Sequence, residues 1–186
     1  MMQRRKEETA IVLDFLVNGY ASDPTPSHLK KPIAQAIGTS SFVLLELVPK
    51  KGIFLQPLEN VYIGESKRDK IHHINGKLHF DRLTSTAKSE LEHAIIVLVK
   101  EQEARFVNFF NTAQPLNTRM HIIELLPGVG KKHMVEIVEQ RKEEPFKSFE
   151  DVKKRVKLIS NPEKIIAKRI FEELSGKEKH YLFVGR

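Results

Sequence analysis

Cysteine is absent from the 186 residues. Its absence excludes disulfides and every zinc site that needs a thiolate. It fits a reducing cytoplasm, or a hot one in which cysteine is avoided. Long hydrophobic runs are missing too. The N-terminus, Met1-Met2-Gln3-Arg4-Arg5-Lys6, is basic like the start of a signal peptide. Glu7-Glu8 follow, however, and Asp14 and Asn18 interrupt the next apolar stretch. Neither a signal core nor a run of membrane-spanning length results. The sequence therefore predicts a soluble, unprocessed cytoplasmic protein with no membrane partner. Charge of one sign is in modest excess, net +7, with acidic residues interleaved throughout. That balance favours a polyanionic partner without identifying one. Internal repeats and low-complexity tracts are likewise absent.

What is present suffices for one full core or two small domains, since 40% of the residues are hydrophobic. Residues 10–83 read as β-rich. Short β-branched runs at Ala10–Val17, Ile33–Ile37, Phe42–Val48 and Val61–Ile63 are separated by glycine and proline, the pattern of a small barrel. Asn75-Gly76 between Ile71–Ile74 and Lys77–Phe80 predicts a two-residue hairpin turn, because both positions tolerate positive φ. That register pairs His72 with His79 and buries Ile71, His73, Leu78 and Phe80. From 84 to 113 the period becomes helical. Leu91, Ile95, Leu98 and Val99 form one stripe, and Phe106, Phe109 and Phe110 another. One or two helices are expected there.

The segment that carries chemistry is Leu125-Leu126-Pro127-Gly128-Val129-Gly130-Lys131-Lys132. Helix-spaced apolar residues precede it (Ile122, Leu125, Leu126) and follow it (Met134, Ile137, Val138), so it reads as a tight turn between two helices. Gly128 and Gly130 lack Cβ, permitting a sharp turn and close approach of another backbone. Val129 is expected to plug into the helix pair. The amides around Val129–Lys131 would then open at a helix N-terminus, a site suited to an anion, with Lys131 and Lys132 beside it. A nucleic-acid phosphate is the fitting ligand, held without reading a base. These residues resemble the helix–hairpin–helix motif of DNA repair and recombination proteins. A phosphate-binding P-loop is excluded by the single residue between the glycines.

A second helix pair follows. Ser148-Phe149-Glu150-Asp151 is a helix-opening cap, and Asn161-Pro162 opens another helix, with Ile166, Ile170 and Leu174 on its buried stripe. This pair has no Gly-x-Gly, so it is expected to pack rather than bind. Lys153, Lys154, Arg155 and Lys157 read as a solvated face. A secondary nucleic-acid contact is expected on the β-rich part at Lys67, Arg68, Lys70, Lys77 and Arg82, with Tyr62 as the best stacking side chain.

Beyond the motif, the whole stretch from 10 to 174 resembles the archaeal DUF655 family. The matching segments include Val12-Leu13-Asp14-Phe15, Pro32–Gly38, Leu44–Lys50, Val61–Gly64, Lys67–Ile71, Arg105–Asn111 and Leu125–Lys132. The resemblance implies an α+β chain. Together with the residue pattern it leads us to expect an OB-like β-barrel over 1–83, a helical connector over 84–117, and an all-α tandem helix–hairpin–helix domain over 118–186, its second hairpin degenerate. It also implies a role in binding RNA or another nucleic acid.

Other chemistries fit less well. Lys132 stands where strand-cutting DNA glycosylases of the helix–hairpin–helix type carry their nucleophile, with Glu150 or Asp151 as the downstream acid. Those enzymes embed the motif in an all-helical fold, and residues upstream here read as β. His72 and His79 are too few to hold a metal, Glu90 with His93 has no second copy, and Glu65-Ser66-Lys67 lacks the acidic partner of a nuclease site. A protein-interaction module would leave the double-glycine turn unexplained. The expectation is a non-enzymatic nucleic-acid-binding protein without cofactor or metal, with RNA favoured over DNA and DNA repair as the alternative setting.

Overall fold

The structure, a computed structural model, describes residues 6–185. The fold is mixed α+β. A five-stranded antiparallel sheet has the order β4-β1-β2-β3-β5, formed by β1 (Thr9–Leu16), β2 (Ile33–Gly38), β3 (Leu44–Pro49), β4 (Asn60–Tyr62) and β5 (Ile71–Lys77). Five helices follow or flank a second, two-stranded sheet: α1 (Ser85–Glu101), α2 (Glu103–Thr112), β6 (Pro115–Asn117), β7 (Met120–His121), α3 (Lys131–Glu143), α4 (Phe149–Arg155) and α5 (Pro162–Leu174). The described residues form two compact units, 6–94 with 170–185, and 95–169. The divisions fall inside α1 and α5, so the boundaries near 83 and 117 expected from sequence periodicity do not coincide with them.

In the first unit the sheet curls around Ala10, Val12, Ala34, Ala36, Leu45, Leu47, Val61, Ile63 and Ile71, all buried. Bulges explain the curl. The register skips Leu13 in β1 and both His72 and Asn75 in β5, and each extra residue bends its strand and increases the local twist. The ladder ends at β4 and β5, so the sheet is an open half-barrel. β2 is buried along its full length. Its one polar residue, Gln35, is fully satisfied. Nε2 donates to Arg82 O at 2.9 Å and Tyr20 Oη at 3.1 Å, and Oε1 accepts from Thr84 N at 2.9 Å. Thr84 in turn opens α1, its Oγ1 accepting from Ala87 N at 3.0 Å. Burial and the hydrogen bond to Glu46 push the Tyr20 hydroxyl up to about 12.

Asn75-Gly76 does not turn the chain. β5 continues through both residues, with Gly76 opposite Glu46 and Lys77 opposite Leu45. Neither residue takes a positive φ. A two-residue turn would forfeit the ladder that β5 makes along the outer edge of β3, and that ladder outweighs the local preference. Asn75 becomes the bulged residue, its Nδ2 donating to Glu46 Oε1. His72 accordingly meets His73 rather than His79, Nδ1 to Nδ1 at 2.7 Å, and His73 is exposed, not buried.

The second unit packs Phe106, Phe110, Ile123, Ile137, Phe146, Val152 and Ile166 into its core. The helical stretch expected over 84–113 is present and breaks once, at Gln102. The helix expected before the glycine turn is a single 3-10 turn, Ile122–Leu125. The hairpin β6–β7 precedes it, where no strand was expected. Asn117 Oδ1 accepts from Arg119 N and Met120 N, and this side-chain turn reverses the chain in place of a helix. α4 and α5 start where the caps predicted. Ser148 Oγ accepts from Asp151 N at 3.0 Å, and Pro162 is the first residue of α5.

Candidate nucleic-acid interface

Leu126 to Val129 is a β-turn closed by Val129 N donating to Leu126 O at 3.1 Å. Pro127 and Gly128 take its two central positions, and Gly128 has φ +74°. Proline first and left-handed glycine second is the signature of a type II turn. Leu126 and Val129 are both buried, so the turn is nailed down at each end. Gly130 follows with φ −103° and ψ −172°, extended backbone that any residue adopts, and serves as N-cap of α3. The two glycines therefore differ in purpose. Gly128 is required by its φ. A Cβ on Gly130 would meet nothing nearer than His133 Nδ1, 4.0 Å away. The sequence reading had given both glycines a part in the sharp turn.

At the start of α3 the first intrahelical bond is Met134 N to Gly130 O, 3.0 Å. The amides of Lys131, Lys132 and His133 have no acceptor among the described residues. Gly130 has no side chain to cap them, and its own N–H is taken by His133 Nδ1 at 3.1 Å. Three open donors at the positive end of a 13-residue helix are the arrangement that favours negative charge. Lys131 and Lys132 are exposed and make no ion pair among the described residues.

The surface is held from beneath. The buried Arg169 donates through Nη1 to Leu125 O at 2.7 Å, fixing the carbonyl just before the turn. The 3-10 turn is locked reciprocally: Ile123 N donates to His121 Nδ1 at 3.2 Å, and His121 N to Glu124 Oε1 at 2.8 Å. Burial, reinforced by the charge of Arg141, holds the His121 imidazole below its ordinary range, and Glu124 offsets this in part. Arg141 Nη1 donates to Phe110 O (3.0 Å) and Ala113 O (2.9 Å), tying α3 to the end of α2. Arg155 donates to Gln140 O and Glu144 O at the far end of α3. Expected as part of a solvated face, Arg155 instead caps a helix. Lys153, Lys154 and Lys157 are exposed.

Pro127, Gly128, Val129, Gly130, Lys131 and Lys132 thus share one rigid surface, with Val129 as its buried anchor. The five cations expected on the β-rich part do not make a comparable array. Arg68 Nε donates to Gly64 O at 2.8 Å, Lys70 is paired with Glu59, and Arg82 lies over the Tyr20 ring at 5.8 Å. Lys67 and Lys77 stand exposed. Tyr62 is half-buried and its hydroxyl accepts from Ser66 N at 3.1 Å. Among the described residues the most exposed large hydrophobic side chain is Phe54, 68% accessible, edge-on to Phe15 at 6.0 Å. It sits in a loop after Lys51-Gly52, and no periodicity marks it. Arg119, at the tip of β6–β7, also escaped the sequence reading, because only the unforeseen hairpin gives it a position.

A cleft of about 250 Å³ in the second unit is lined by Lys100, Glu103, Phe149, Glu150, Lys153 and Glu163. Glu103 there accepts from Phe149 N at 2.7 Å and so braces α4. Lys132 has no carboxylate within ion-pair distance among the described residues, and Asp151 is bound to Lys147 N and Arg155. Among the described residues no group of three or more histidines and carboxylates could hold a metal.

The relatives agree with this architecture. Residues 6–185 match the family described as "Protein of unknown function (DUF655)". The uncharacterized protein MJ0038 of Methanocaldococcus jannaschii is 46% identical over 180 residues, covering 96% of this chain and 80% of that protein. The crystal structure of Af1531 from Archaeoglobus fulgidus, of the same family, superposes with a TM-score of 0.89 at 44% identity. It covers 96% of this chain and all of that one. On sequence and fold alike, the chain belongs to the DUF655 family.

Proposed function

We propose that this protein is a non-enzymatic nucleic-acid-binding protein that grips the phosphate backbone at residues 127–132, with RNA as its favoured ligand. The observation that carries the reading is the coincidence of three unpartnered amides and two unpaired lysines at the start of α3, on a turn immobilised from below. We read this turn, with the 3-10 turn before it and α3 after it, as a helix–hairpin–helix shortened on its first side. We read the curled sheet as an OB-like half-barrel whose cations, Lys67 and Lys77 foremost, give weak contact to unpaired strands. A backbone grip tolerates a helix, whereas a half-barrel favours unpaired nucleotides, and their union suits structured RNA better than plain duplex DNA.

The test is the double variant Lys131→Ala/Lys132→Ala, with affinity measured against salt on a labelled RNA stem–loop. Affinity should fall, and the slope of log K against log salt should flatten by up to about 1.8, two lost phosphate contacts at ~0.9 each. An unchanged affinity and slope would make the turn a structural element only.

A further inference from the structure

Residues 114–120 are exposed without a break and form the hairpin β6–β7. A two-stranded hairpin standing alone is marginal in water, yet this one is firmly built. Asn117 Oδ1 accepts from Arg119 N at 2.8 Å and from Met120 N at 3.0 Å, fixing the tip. Ile122 N donates to Gln114 O at 3.2 Å and the buried His121 closes the base. Leu116 and Met120 remain 39% and 41% exposed. The Arg119 side chain makes no hydrogen bond, ion pair or ring contact among the described residues. No acidic residue occurs from 104 to 123. The hairpin is a preorganised ribbon, cationic at its tip and apolar on its sides, and nothing inside its own unit uses that surface.

β7 leads directly into the 3-10 turn Ile122–Leu125 and so into the anion-binding turn. Strand, 3-10 and β-turn dimensions place Arg119 within about 30 Å of the open amides of α3. That is inside the ~16 base pairs one small domain can span along an RNA helix. We propose that β6–β7 is a second contact to the same nucleic acid, its tip entering the minor groove of an RNA helix. This rests on the phosphate-binding reading above. Arg119 donates to 2′-hydroxyls and base edges, while Leu116 and Met120 pack on the sugars. The A-form minor groove is wide and shallow and displays those groups, whereas the B-form minor groove, ~6 Å wide, must first be widened to admit a two-stranded ribbon. The turn holds phosphate without discrimination, so the hairpin supplies the preference for RNA.

The experiment is fluorescence anisotropy on the full chain at one ionic strength, with a blunt RNA duplex and a blunt DNA duplex of matched sequence. Arg119→Ala should weaken RNA-duplex binding about tenfold, the loss of one charge-assisted fork, and leave DNA-duplex binding within about twofold. Arg119→Lys should restore less than half of the loss, because an ammonium cannot replace the fork. Thermal melting should be unchanged in both variants, since the side chain has no partner in the unit. If Arg119→Ala is silent while Lys131→Ala/Lys132→Ala weakens binding, the hairpin is only structural and the phosphate-binding reading stands. If both are silent, the phosphate-binding reading falls and takes this inference with it. If Arg119→Ala weakens the DNA duplex alone, the ribbon enters a B-form groove and the assignment to RNA is wrong.

Discussion

Replacing Gly130 by serine separates stability from binding, because the two should move in opposite directions. Gly130 is the N-cap of α3 with φ −103° and ψ −172°, the extended geometry that serine prefers at this position. A Cβ there meets nothing closer than 4.0 Å, so there is no clash. Losing a glycine removes unfolded-state freedom, about 0.4–1 kcal/mol. Serine improves on glycine as a cap by a few tenths more. The sum is about 0.5–1.5 kcal/mol of added stability, or a rise in Tm of roughly 1–6 °C for a chain this long. The mechanism of that gain is what harms binding. Serine Oγ accepts from the amide of Lys132 or His133, donors now open to a phosphate. One charge-assisted hydrogen bond is worth about 1.5–3 kcal/mol, so affinity for an RNA stem–loop should fall tenfold or more. The assays are a thermal melt and an anisotropy titration on the same preparation. A higher Tm with undiminished affinity would show that these amides are not where the ligand sits. Gly128→Ala is the contrasting control. With φ +74° it is strained by about 1–2 kcal/mol, so it should lose stability as well as binding.

Two further outcomes follow from the local geometry. His121 is held neutral by burial and by Arg141, against the partial offset of Glu124, and its Nδ1 accepts from Ile123 N. Its folded pKa is depressed, so the unfolded chain binds the proton first. Stability is full above about 6.5 and falls as pH drops from there toward the lower folded value. Denaturant midpoints at pH 7.5 and 5.5 should show this decline, and His121→Phe should reduce it; equal declines in both proteins would remove His121 as the cause. Gly76 has an ordinary φ and open space around its Cα. Gly76→Ala should therefore be neutral or raise stability by up to about 1 kcal/mol in chemical denaturation, whereas a tight two-residue turn at this site would make the same change destabilising.

Much was determined by the sequence alone where a local rule acts on consecutive residues. Pro127-Gly128 specifies a type II turn because φ is restricted at one position and must be positive at the next. Ser148 and Pro162 specify helix starts because each meets the hydrogen-bonding need of a first turn. The amides and lysines of 128–132 were legible for the same reason, being neighbours along the chain. Tertiary structure decided what depends on partners distant in sequence. Asn75-Gly76 became a bulge because β3 offered β5 a ladder worth more than a local turn. Arg155 became a helix cap because the carbonyls of Gln140 and Glu144 lie within its reach. Arg169, unremarkable in sequence, is buried beneath Leu125, 44 residues earlier, and holds the turn in place. The exposed cationic tip at Arg119 exists only because the chain reverses at Asn117. Local rules thus placed the Pro127–Lys132 turn, and long-range packing determined what holds it and which surface stands beside it.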